Sequence, residues 1–193
     1  MPIAPIVGRM LFAMALSVVF VHFMYGGGKT FIIKAGQDTG PGYGQASFVS
    51  GVLVTLYEGV YHRLGLGWGL LAGLLALCAI TLYEWARRSI LGLGFSVGLS
   101  GRVPESIFEG GPYAYVRHPL YLSYIIAFAA IPLGWHDLPA FAVFVINAAF
   151  YVFLSFDDER ALASSPLATS YAAYKSRIGR FVPRLRLAQA TAG

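Results

Sequence analysis

Charge is what this sequence has least of. Asp, Glu, Lys and Arg together make up only 12% of it, against about 25% in an ordinary soluble domain. Hydrophobic residues reach 57%, above the roughly 45–50% apolar share of such domains. Too few charges remain to cover a water-exposed surface, which excludes a conventional soluble domain and leaves lipid to cover part of the chain. Acidic residues are scarcer than basic ones, 9 against 14, for a net charge of +5. In a chain this apolar, the basic excess reads as topology signals and contacts to anionic headgroups, not as a nucleic-acid surface. Cysteine is nearly absent. Cys78 stands alone inside an apolar run, so no internal disulfide is possible and the redox compartment is left open. Internal repeats and low-complexity segments are lacking too. The 193 residues suit one integral membrane domain, 1–193, and hardly two.

What the sequence does have is long apolar runs. A helix crossing the hydrocarbon core needs ~20 mainly apolar residues. Runs at about 3–25, 47–62, 68–85, 119–133 and 138–156 predict five spanning helices, an all-α polytopic membrane fold. Arg9 before an apolar stretch resembles a signal peptide, but no convincing cleavage site follows the apolar core, Gly26, Gly27 and Gly28 being the nearest candidate, so with more apolar runs downstream an uncleaved first helix is expected. Residues 26–46 read as a loop, and Gly65 and Gly67 as a tight connection. Residues 89–117 form a long connection rich in Gly and Pro, and long connections are often functional. From Asp157 the chain becomes charged, with Tyr171 and Tyr174 at helical spacing. That tail reads as an amphipathic helix on the membrane surface, broken near Pro183. With 26–46, 86–118 and the tail on one side, 12 of the 14 basic residues share it; only Arg9 and Arg63 do not. The positive-inside rule then makes that side cytosolic.

Two constellations stand out. In the first, Tyr113, Tyr115, Arg117, His118 and Tyr121 crowd around Pro119, which suits the first turn of a helix. Free N–H groups and a partial positive charge at that turn attract a carboxylate or phosphate. The same residues also suit plain anchoring of a helix at the interface, and composition alone slightly favours that plainer reading. The second is the series Asn147, Tyr151, Ser155 and Glu159, four apart on one face of the fifth helix. Polar residues on one stripe of a spanning helix face protein or a water-filled cavity. Asp157, Asp158 and Glu159 bring three acids to the cytosolic end. They suit solvation, pairing with Arg160 and Arg117, or binding of a ribose, ammonium or sulfonium.

Other polar residues invite simpler readings. Glu58 and His62, four apart, fit one side of a two-residue metal site. No second pair of ligands is evident, so an interior polar pair is expected, and no metal. Glu84 beside Arg87 and Arg88 reads as a salt bridge. His22 and His136 lie near predicted interfaces, and Gly92 and Gly94 are too short a step for nucleotide binding.

Together the two constellations resemble the isoprenylcysteine carboxyl methyltransferase family and its bacterial relatives, including phospholipid methyltransferases. The pattern is a Gly-x-Tyr step, Arg-His-Pro-x-Tyr, a spanning hairpin, an acidic pair, two tyrosines three apart and an Arg-Phe-x-Pro end. Here these are Gly111 to Tyr113, residues 117–121, Glu159, Tyr171 and Tyr174, and Arg180 to Pro183. The match covers roughly the last hundred residues in order and spacing. It implies that 86–193 is the catalytic half and that S-adenosylmethionine is the methyl donor. By the same resemblance, the cofactor contacts Glu105, Ser106, Ile107, Phe108, Tyr113, His118, Pro119, Leu120 and Tyr121. Glu159 and Arg117 do the catalytic work, Glu159 by electrostatic stabilisation or by taking a proton. Asn147, Tyr151 and Ser155 line the way for a lipophilic or small acceptor arriving from the bilayer.

Two departures bear on the acceptor. The acidic pair is not intact: Glu159 is followed by Arg160, or preceded by Asp158 if one residue is inserted. Ser155 stands where carboxyl methyltransferases carry an arginine that is thought to hold the substrate carboxylate. An amine or thiol acceptor therefore suits better than a carboxylate. Two rival readings remain: an NADPH-dependent membrane reductase, because some sterol reductases share a similar Arg-His-Pro-x-Tyr end, and a non-catalytic protein on the same scaffold.

Overall fold

The computed structural model describes residues 3–30, 43–91 and 106–184. Six helices follow in order: α1 (Ile3–Thr30), α2 (Tyr43–Tyr61), α3 (Leu66–Ile90), α4 (Pro119–Trp135), α5 (Leu138–Ala163) and α6 (Ala168–Arg177). A single 3-10 turn, Gly111–Ala114, precedes α4. Among the described residues there is no strand, only one isolated parallel bridge between Val116 and Gly179. Among the described residues, three helices are long and apolar enough to cross a membrane: Ile6–Gly26 within α1, all of α3 and all of α5. The helix α4 is apolar but shorter, with 17 residues.

The outer face is apolar, unlike that of a water-soluble bundle. On α1, Met10, Leu11, Met14 and Val18 stand between 44% and 65% exposed, while Ala13, Leu16, Phe20 and Phe23 on the opposite face are buried. On α5 the apolar Phe141, Val145, Ile146 and Phe153 face outward, and Asn147, Tyr151, Ser155 and Glu159 face inward. Polar-in and apolar-out is the arrangement lipid stabilises, because outward groups lose nothing to hydrocarbon and inward ones find protein partners.

The helix α4 is the hub. It packs on α3 and α5, and 11 of its 17 residues are buried, against six of 26 in α5. Its Tyr124 ring meets one ring from each of the other four long helices: Phe23 at 5.2 Å, Phe48 at 5.0 Å, Tyr83 at 5.8 Å and Tyr151 at 5.0 Å. Such pairs add about 0.5–1.5 kcal/mol each beyond area burial. At its far end α4 stops at His136, which takes a left-handed φ of 41°. The next residue, Asp137, caps α5 by accepting from the Ala140 N–H at 2.9 Å.

Several helices run beyond the apolar limits read from sequence. The helix α1 continues to Thr30 and α2 begins at Tyr43, so both ends of the expected loop 26–46 are helical. The helix α3 continues through Arg87 and Arg88 to Ile90, because both arginines fold back onto Glu84 at 2.8 and 3.0 Å. The helix α5 continues through Asp157, Asp158 and Glu159 to Ala163, so these acids belong to the helix and not to the tail. The tail then forms α6, which buries Tyr171 and Tyr174.

Candidate functional site

The site forms where the chain enters α4, leaves α5 and closes with the tail. Pro119 starts α4, its fixed φ suited to a first helical turn, with His118 in the capping position. Just upstream, Gly111 carries a φ of +55°, and a Cβ there would meet Ser89 Oγ at 2.3 Å. Only glycine fits this turn comfortably. The tail is stitched to the same segment through backbone: Arg117 N–H donates to Gly179 O at 2.8 Å and His118 N–H to Arg180 O at 3.2 Å. The Tyr174 hydroxyl donates to Tyr113 O at 2.7 Å.

Glu159 is the centre, 4% exposed. Arg117 donates to its Oε1 from Nε at 3.1 Å and from Nη2 at 2.7 Å. Arg180 donates from Nε to Oε1 at 2.9 Å and from Nη2 to Oε2 at 2.7 Å. Lys175 Nζ lies 3.1 Å from Oε2. His118 Nε2 lies 3.3 Å from Oε1. An ionised carboxylate only accepts, so the proton of that contact sits on His118 Nε2. Arg117 also donates from Nη1 to the carbonyls of Lys175, at 3.4 Å, and Ile178. The Arg180 guanidinium stacks 3.5 Å above the Phe156 ring.

Six contacts fall on two oxygens with about four good lone-pair positions. Glu159 therefore has no acceptor capacity left for a substrate proton, and its part in this arrangement is to gather cations. Counting Arg117, Lys175 and Arg180 against Glu159 gives 3 − 1 = +2 before His118 is counted. A partly buried centre of net positive charge suits an anionic group. On the adjoining face, Tyr121 donates to Asp158 Oδ2 at 2.8 Å and stacks on the His118 ring at 5.6 Å, 5° from parallel. Burial pushes the phenols of Tyr113, Tyr171 and Tyr174 up, so all three stay protonated at neutral pH. Beside the centre lies an open cavity of about 420 Å³, lined in part by Glu109, Tyr115, Arg177 and Ile178. Arg177 clamps Glu109 across it with two bonds of 2.8 Å.

The expected site residues divide into three groups. Arg117, His118, Tyr121 and Glu159 come together as described. Phe108 packs against Tyr113 at 5.7 Å, Ile107 is half-buried and Ser106 exposed, while Pro119 and Leu120 are buried. Glu105 lies outside the described residues. Asn147, Tyr151 and Ser155 take a different place. Ser47 on α2 donates to Asn147 Oδ1 and lies 2.9 Å from the Tyr151 hydroxyl; Asn147 also donates to Ser50 Oγ at 3.3 Å. Ser155 bonds back to Val152 O at 2.6 Å. These three join helices or close on their own helix, and α2 supplies the partners.

Sequence reasoning missed Lys175 and the ion-pairing role of Arg180. The signal for both was their position, one just after Tyr174 and the other opening the Arg-Phe-x-Pro end. It also missed Asp137, whose Oδ2 lies 3.0 Å from His62 Nδ1, so Glu58 and His62 are not an isolated pair. His22 likewise has a partner, Glu84, at 2.8 Å.

No protein-family model matches the chain, and neither the curated proteins nor the solved structures give a significant match. Fold and site together define a helical protein with three helices able to cross a membrane and a buried carboxylate-centred cation cluster at one end of its central hairpin.

Proposed function

We propose that the chain is an integral membrane methyltransferase that moves a methyl group from S-adenosylmethionine to a lipophilic or small acceptor. In this reading α1 to α5 all span the bilayer, α6 lies on its cytosolic surface, and the site opens to the cytosol. One observation carries the proposal. Arg117 with His118, Glu159, and Arg180 come from three separate parts of the sequence and meet within 3.3 Å. They are the residues that the resemblance to the isoprenylcysteine carboxyl methyltransferase family groups together.

The chemistry asks little of the protein beyond placement. Bound here, S-adenosylmethionine would supply an electrophilic methyl group to the acceptor's lone pair and would leave as S-adenosylhomocysteine, with the proton of an amine or thiol acceptor passing to water. The sulfonium is intrinsically reactive, so positioning and exclusion of water supply most of the rate. The cation cluster suits the donor's carboxylate, and the tyrosine faces around Tyr121 suit its sulfonium. Glu159 orients the arginines and takes no proton. With a serine at position 155 that closes on its own helix, an amine or thiol acceptor fits better than a carboxylate.

The test is equilibrium binding of labelled S-adenosylmethionine to detergent-purified protein, followed by transfer of the label into a membrane extract. Saturable binding is expected. It should weaken at least tenfold in His118→Ala, the loss of one charge-assisted hydrogen bond worth about 1.5–3 kcal/mol. Unchanged binding in that variant removes the site assignment. Tight NADPH binding with none for S-adenosylmethionine replaces the methyltransferase with a reductase. Cofactor binding without transfer to any acceptor leaves a non-catalytic scaffold.

A further inference from the structure

A second polar cluster lies at the other end of α5. Glu58 and His62 stand one turn apart at the end of α2, and Asp137 immediately precedes α5. Atoms able to ligate from all three lie within 4.8 Å of one another. His62 Nδ1 is 3.0 Å from Asp137 Oδ2 and 3.9 Å from Glu58 Oε2. Glu58 is wholly buried, at 0% exposure, with its carboxyl facing that of Asp137, and among the described residues no N–H donates to either of its oxygens or to Asp137 Oδ2. The other oxygen of Asp137 caps α5 through the Ala140 N–H, which fixes the carboxylate plane and turns Oδ2 toward His62.

Two carboxylates this close in a buried setting repel unless a proton or a cation sits between them. The nearby cation does not meet that need: Arg9 donates from Nη1 to the His62 carbonyl at 3.2 Å and pairs with neither carboxylate. His136 turns its ring onto Trp68 at 4.6 Å. Zinc-class ions hold nitrogen and carboxylate ligands at about 2.0–2.2 Å, which places two donors on one ion up to about 4 Å apart. The spacings at His62 fall in that range. One imidazole with two carboxylates and no thiolate suits a first-row divalent ion. His62 and Asp137 keep 39% and 18% side-chain exposure, so the cluster is open to water on one side.

We propose that Glu58, His62 and Asp137 bind one divalent transition-metal ion of the zinc class, tying the end of α2 to the start of α5. Three protein ligands leave at least one coordination position to water. The proposal is independent of the methyl-transfer reading, since none of its residues belongs to the cluster at Glu159.

The experiment uses the full chain in detergent, stripped with a chelator and titrated with Zn2+ against a chromophoric competitor. Thermal unfolding is followed with and without the metal. One equivalent of zinc should bind and raise the melting temperature. Glu58→Gln and Asp137→Asn should each weaken binding at least about tenfold and abolish the metal-dependent rise in melting temperature. Asp137→Asn keeps an oxygen to cap α5, so its fold is preserved. His62→Ala should behave likewise, and Co2+ in its place should give visible absorption in the parent protein only. Zinc bound equally by parent and all three variants overturns the proposal. So does the absence of saturable binding, which would leave a shared proton between Glu58 and Asp137.

Discussion

At one end of α5 a single carboxylate, Glu159, is held by Arg117, Lys175, Arg180 and His118. At the other end two carboxylates, Glu58 and Asp137, face one imidazole, and the Arg9 guanidinium turns to a backbone carbonyl instead. The two clusters lie 22 residues apart along the helix, about 33 Å at 1.5 Å per residue, close to the ~30 Å hydrocarbon thickness. Each therefore sits at one membrane surface in the spanning arrangement proposed above. The contrast shows two solutions to one problem. A carboxylate taken out of water must be compensated. At Glu159 the chain supplies an excess of its own cations and creates a place for an anion. At Glu58 it supplies a deficit and creates a place for a cation.

The largest expected effect separates the two ends directly. Glu159→Ala leaves Arg117, whose side chain is 5% exposed, as an uncompensated buried charge. Breaking a buried pair in this way costs about 3–5 kcal/mol. Glu58→Gln in metal-free protein replaces a buried carboxyl that has no cationic partner with a neutral amide of the same shape, and should leave stability within about 1 kcal/mol of the parent or raise it. Chemical or thermal unfolding in the same detergent checks both. Equal losses at the two ends would break the comparison, because they would mean that Glu58 is compensated by protein as Glu159 is.

A smaller effect sharpens the Glu159 end. A Cβ on Gly179 would lie 1.9 Å from the Val182 carbonyl oxygen, a backbone atom that cannot swing aside. Gly179→Ala should therefore lift the tail and lose the two backbone bonds that hold residues 179 and 180 to Arg117 and His118. At about 0.5–1.5 kcal/mol each, the loss is about 1–3 kcal/mol. Limited proteolysis should cut the tail beyond residue 164 faster than in the parent, and labelled S-adenosylmethionine should bind more weakly as Arg180 leaves Glu159. An intact tail with unchanged binding would remove the tail from the site.

How far these two ends were legible in sequence follows from how local each is. The Glu159 cluster draws on short patterns: residues 117–121, the acids near 159, and the Arg-Phe-x-Pro end. A resemblance can carry those. The other cluster needs Asp137 to meet His62 across 75 residues, and local periodicity does not encode which loop meets which helix end. The helix lengths show the same limit. Charged residues at 87–88 and 157–160 look like stops on a hydropathy scale, yet both helices continue: Glu84 binds Arg87 and Arg88 within α3, while in α5 Arg160 pairs with Asp157 and Glu159 with Arg117 and Arg180 from other parts of the chain. The inward stripe of α5 was readable from its four-residue spacing. Its partner, Ser47 on α2, was not.

That stripe gives the smallest expected effect and tests whether the middle of α5 belongs with either end. Asn147 donates to Val143 O on its own helix at 2.8 Å, and only its remaining capacity crosses to Ser47 and Ser50. Interhelical hydrogen bonds of this kind average about 0.6 kcal/mol and reach about 1.7. Asn147→Ala should therefore cost at most that much in unfolding experiments. A cycle with Ser47→Ala should return a coupling energy of similar size, because the two side chains touch. Cofactor binding at the Glu159 end and zinc binding at the Glu58 end should both be unchanged. A fall in methyl transfer without loss of stability or cofactor affinity would instead place Asn147 against the acceptor. The stripe would then be the route by which a lipophilic molecule reaches the cation-rich end, and not only a clasp between α2 and α5.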